Sequence, residues 1–79
     1  MNNTEKYDQI MRESFELDES FDVTTLVYQG VEKWDSVGHM TMVAMLEETF
    51  DIMMDTDDII DFSSYEKGKE ILGKYGIEF

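Results

Sequence analysis

From Ser36 to about Phe50 the chain runs through Met, Ala, Leu and Glu with no helix breaker except Gly38, and Asp35-Ser36 stands at its head as a start signal. No other stretch restricts the fold so tightly. On a wheel of about 100° per residue, Met42, Val43, Leu46 and Phe50 share one arc able to face a core. Val37, Met40 and Ala44 fall on the other side, beside Glu47 and Glu48, and a purely structural helix would have little use for that second apolar strip.

The rest of the chain has the same helical grammar. There is no Pro anywhere, so boundaries are read from caps, Gly and apolar periodicity. A first helix is expected from near Thr4, as N-cap, to near Leu17, with Tyr7, Ile10, Met11 and Phe15 on one stripe. Residues 18 to 34 mix turn formers with Phe21, Val23, Leu26, Val31 and Trp34, which predicts a long ordered loop packed across helix ends, with a strand pair as the alternative. A short helix should follow Asp55-Thr56, with acids in its first turn and Ile59 and Phe62 turned inward. Ser63-Ser64-Tyr65-Glu66 reads as a capping box, Ser63 paired with Glu66, opening a last helix that runs to roughly Tyr75 and is ended by Gly76. Tyr65, Ile71, Leu72 and Tyr75 supply its packed side, although Gly68 inside it costs about 1 kcal/mol against Ala. The expectation is an all-α four-helix bundle: three main helices and one short one, with the long loop bracing the first two.

At 79 residues the chain forms a single domain, residues 1–79, too small for a deep enzyme cleft. Apolar residues are 42% of it, enough for a core and too many for a disordered acidic tail. With no Cys, neither disulfides nor thiolate metal sites hold it together. The N-terminus lacks the pattern of a secretory signal and no run approaches a membrane span, so a soluble, cytoplasmic protein without membrane contact is expected. Nineteen acids against six Lys and Arg leave a net charge of -13, which repels phosphate backbones and makes nucleic acid an unsuitable partner. Between Trp34 and Glu66 there is no Lys or Arg, while Asp35, Glu47, Glu48, Asp51, Asp55, Asp57, Asp58 and Asp61 all fall there. One face is built for basic partners.

Asp35-Ser36-Val37 at the head of the longest helix, with Leu46-Glu47-Glu48-Thr49-Phe50 ten residues after the Ser, resembles the acyl carrier protein family. The likeness continues through the acidic short helix and the Ser-Ser before the last helix. It covers roughly residues 35 to 75, and the first third only by length and helix placement. It implies an acyl-carrier-like bundle that is not itself an enzyme and has no catalytic residue. It implies 4'-phosphopantetheine attached at Ser36, with an acyl group held as a thioester on the arm. Asp35 would help a phosphopantetheinyl transferase and its metal grip the site. Val37, Met40, Ala44, Glu47 and Glu48 would form the docking surface for partners with basic patches: the transferase, an acyl-loading ligase or synthase, and an acyltransferase. The carrier would be a monomer.

Where fatty-acid carriers place acids two and five residues after the Ser, this chain has Gly38 and Thr41. Its Trp-Asp-Ser-Val-Gly-His segment looks more like free-standing carriers dedicated to one biosynthetic pathway. The physics of the site is compatible, since an N-cap hydroxyl bearing a phosphodiester lies by the positive end of a helix. The plain alternative is that Ser36 only caps the helix.

Other functional classes stay open at this point. An aminoacyl or peptidyl carrier shares the arm, and an acidic helical adaptor has no prosthetic group. Asp55, Asp57, Ser63 and Glu66 match calcium-loop positions 1, 3, 9 and 12, but Ile59 and Ile60 stand where an oxygen ligand and a Gly are needed, so no metal ligand set is assigned. A looser association of divalent cations with the acidic cluster is compatible with its charge. His39 follows Ser36 by three residues, yet the nucleophile elbow wants Gly where Trp34 stands, so His39 reads as a partly buried structural residue. Met40, Met42, Met45, Met53 and Met54 suit either ordinary core filling or an interior that adapts to a variable acyl chain.

Overall fold

Tyr7, Ile10, Met11 and Phe15 are each no more than 3% exposed, and their helical spacing explains why: one stripe of the first helix turns inward and drives its burial. The computed structural model describes residues 2–79. Its elements are α1 (Asn3–Ser14), a one-turn 3-10 helix (Val23–Thr25), α2 (Ser36–Phe50), α3 (Thr56–Asp61) and α4 (Tyr65–Lys74). Among the described residues there is no strand, only an isolated antiparallel bridge between Val27 and Ser64. The fold is all-helical.

Two caps lie beside their expected positions. Asn2, not Thr4, caps α1, its Oδ1 accepting from the Glu5 N–H at 2.8 Å, and the helix ends at Ser14, short of Leu17. Ser64, not Ser63, caps α4, its Oγ accepting from the Lys67 N–H at 3.0 Å. The bridge to Val27 explains the shift, because it holds Ser64 extended and leaves Glu66 one position too early for a reciprocal box. On either side of the bridge the Tyr28 N–H donates to the Ser63 carbonyl (2.8 Å) and the Tyr65 N–H to the Leu26 carbonyl (2.9 Å). The long loop is thereby tied to the start of α4.

That loop is ordered by burial. Val23, Leu26 and Trp34 are at most 2% exposed, and the Trp34 ring stacks on Phe15, the C-cap residue of α1, with centroids 4.7 Å apart. The Arg12 guanidinium donates to the Phe21 carbonyl at 3.1 Å from the α1 side. α1 packs mainly against α2, whose Met42, Val43 and Leu46 are each no more than 2% exposed in the shared core. Across the core the Tyr7 hydroxyl donates to the Tyr65 carbonyl (2.8 Å), and Tyr65 donates in turn to Asp8 (2.6 Å). Burial pushes both phenols above the ordinary tyrosine range. The radius of gyration, 11.3 Å, matches the roughly 11.6 Å of a chain this long folded around one core.

Candidate functional site

The start of α2 is built by Asp35. Its backbone is extended, its Oδ1 accepts from the Gly38 N–H at 2.9 Å, and its carbonyl accepts from the His39 N–H at 2.8 Å. Asp35 is therefore the N-cap, and Ser36, expected to be the capping hydroxyl, is instead the first helical residue. The preference follows from reach: a carboxylate at N-cap satisfies a first-turn donor, the Gly38 N–H, while the Asp35 carbonyl starts the regular ladder at His39. Ser36 is exposed. The first-turn amides that remain after the Asp35 side chain has taken that of Gly38 are those of Ser36 and Val37, at the positive end of the helix.

Gly38 is buried in this turn for a reason absent from the sequence pattern. A Cβ there would collide with the Lys33 carbonyl, so only glycine lets the loop before Trp34 cross the helix start so closely.

The apolar strip of α2 is open: Val37 is 76% and Met40 53% exposed, and Ala44 and Glu48 are exposed beside them. Met53 in the following loop and Ile60 on α3 are exposed as well. Glu47 is used differently. It is half-buried, and its Oε2 accepts from the Met54 N–H at 2.9 Å, which fastens the loop between α2 and α3. Of the five clustered Met residues, only Met42 and Met54 lie in the core.

His39 is held at both ring nitrogens. Trp34 Nε1, which can only donate, is 2.9 Å from Nδ1, and the Ile59 carbonyl, which can only accept, is 2.8 Å from Nε2. These two partners fit the tautomer that accepts at Nδ1 and donates from Nε2. A cleft of about 210 Å³ in front of it is lined by Tyr28, His39, Ile60, Phe62 and Ser63.

One cluster escaped the sequence reading. Asp58 of α3, buried, accepts from Lys74 Nζ and from the Tyr75 hydroxyl (2.6 Å), and the Tyr75 oxygen accepts from the Asp55 N–H (2.9 Å). These hydrogen bonds hold the Asp58 carboxyl below its ordinary range and raise Lys74 and Tyr75 above theirs. No local signal reveals the cluster, because its partners lie 16 and 17 residues away.

Residues 56 to 61 are helical, so Asp55, Asp57, Ser63 and Glu66 do not form a calcium loop, and no trio of His, Asp or Glu among the described residues is grouped to hold a metal. No helix among them is long and apolar enough to cross a membrane. No family model, curated protein or solved structure matches the chain.

Proposed function

We propose that the chain is an acyl carrier protein, with 4'-phosphopantetheine esterified to Ser36. The observation that carries the reading is an exposed hydroxyl on the first residue of the longest helix, at its positive end, with an exposed apolar strip on the same helix that leads to the exposed Glu48 near its other end. The Ser36 and Val37 amides and the dipole of α2 suit a phosphodiester there. The arm, once attached, supplies a thiol on which an acyl group is carried as a thioester.

In the modification step Ser36 Oγ attacks the β-phosphorus of coenzyme A inside a separate transferase. An Oγ–P bond forms, the bond to the departing 3',5'-ADP breaks, and the hydroxyl proton passes to the transferase. The role of this chain is to present the hydroxyl: Asp35 caps the helix and places its charge beside Ser36, while Val37, Met40, Ala44 and Glu48 offer an apolar seat rimmed by acid to a basic enzyme surface. Glu47 contributes from below, by bracing the loop that follows. The absence of acids at Gly38 and Thr41 favours a dedicated biosynthetic pathway.

The test is direct. Purified protein incubated with coenzyme A, magnesium and a broad-specificity phosphopantetheinyl transferase should gain the mass of one arm, and the Ser36→Ala protein should gain none. Absence of any gain in the native chain overturns the reading in favour of an adaptor without prosthetic group.

A further inference from the structure

A carrier of long apolar chains has to shelter its cargo, because every exposed methylene is unfavourable in water. A carrier of short or polar groups has no such need. In this molecule the head of α2 borders two grooves: one toward α1, lined mostly by the polar side chains of Glu13, Ser14, Glu16, Lys33 and Thr41, which offer a hydrocarbon chain no shelter, and, one helical turn along from Ser36, the seam toward α3, in which His39 stands.

The seam is closed by polar ties along its length. His39 accepts from Trp34 Nε1 at 2.9 Å and donates to the Ile59 carbonyl at 2.8 Å, so a single ring joins the loop, α2 and α3. Trp34 is fully buried, lies nearly parallel to the imidazole (17°) and meets Phe62 edge-on. Glu47 closes the end of the seam at Met54 (2.9 Å), and the Asp58–Lys74–Tyr75 cluster holds α3 from its far side. A hydrocarbon chain pushing in would part His39 from its partners and leave the buried Trp34 N–H without an acceptor, and it brings no hydrogen bond in exchange. The cleft before the ring, about 210 Å³ and bordered by Tyr28, Ile60 and Ser63, ends at His39 and Phe62.

We propose that His39 determines cargo specificity: its doubly bonded ring keeps the α2–α3 seam shut, and the group carried on Ser36 is a short or polar acyl group that stays outside the core. This rests on the carrier reading of Ser36 and adds to it the class of substrate.

Acetyl- and dodecanoyl-coenzyme A are each used with the transferase to load the native chain, and the thioesters are cleaved with hydroxylamine. Equal cleavage rates, with the Met42, Met54 and Leu46 methyl resonances the same in both, are expected. Protection of the dodecanoyl thioester by about tenfold, the factor for a chain spending nine-tenths of its time sheltered, overturns the proposal and leaves the carrier reading standing. Failure to load either one instead overturns the carrier reading. Because the chain has no Cys, Ser36→Cys alkylated with methyl or dodecyl iodoacetamide tests the seam without an arm. Core resonances moved by the dodecyl group in that protein count against the proposal. His39→Leu should admit the dodecyl group and shift them, whereas His39→Gln, which retains a donor and an acceptor, should behave as the native chain does; a seam equally closed in His39→Leu refutes the role of the ring.

Discussion

Two residues past Ser36 stands Gly38, and packing alone accounts for it. The Lys33 carbonyl occupies the space a Cβ would need. Gly38→Ala should therefore lower stability by about 2 kcal/mol, the overpacking penalty outweighing the gain in helix propensity. Gly73→Ala, in open space on α4, should raise it by about 0.5–1 kcal/mol. Urea midpoints moving in opposite directions, with unchanged slopes, would verify both. Glu47 teaches a related lesson: its charge and position resemble those of Glu48, yet one holds a backbone N–H and the other faces solvent. Sequence pattern put both on the same face and could not separate them, because the difference is made by where the next loop passes.

Helix ends follow one rule with three different residues. After α1, α2 and α4 the chain turns through Glu16 (φ 54), Asp51 (φ 53) and Gly76 (φ 87). In each case the following N–H reaches back: Leu17 to Arg12 (2.8 Å), Ile52 to Glu47 (3.1 Å) and Ile77 to Leu72 (3.2 Å). These are Schellman closures, and only the glycine advertises one. Glu16 takes a left-handed conformation that a side chain disfavours, and its ion pair with Lys33 (3.4 Å) is exposed and weak. Glu16→Gly should accordingly stabilise the protein by about 0.5–1 kcal/mol after the entropy that glycine gains in the unfolded chain is deducted. A higher thermal midpoint with the same helical circular dichroism is the expected reading, and a lower one would show that the ion pair outweighs the backbone.

Across the molecule, α3 is held more by polar ties than by buried apolar surface. Asp58 ties it to α4, and since its folded pKa is depressed, its contribution is complete above the ordinary carboxylate value of about 3.9 and is lost as pH falls through the lower folded value. Asp58→Asn should be less stable than the native chain at neutral pH, and the gap should shrink as pH drops below about 4, measured by chemical unfolding at a series of pH values. A gap that stays constant would mean that the carboxylate charge is not what Lys74 and Tyr75 recognise. The helical class, the inward stripe of α1, the core arc of Met42, Val43 and Leu46, and the opening of α2 at Asp35-Ser36 could all be read from the residues alone, because each depends on neighbours within a turn or two of helix. The long loop's anchoring, the capping by Ser64 in place of Ser63, the need for glycine at position 38, the two hydrogen bonds of His39 and the Asp58 cluster required the folded chain. Each depends on groups brought together from distant parts of the sequence, and no periodicity encodes which carbonyl, ring or ammonium will arrive.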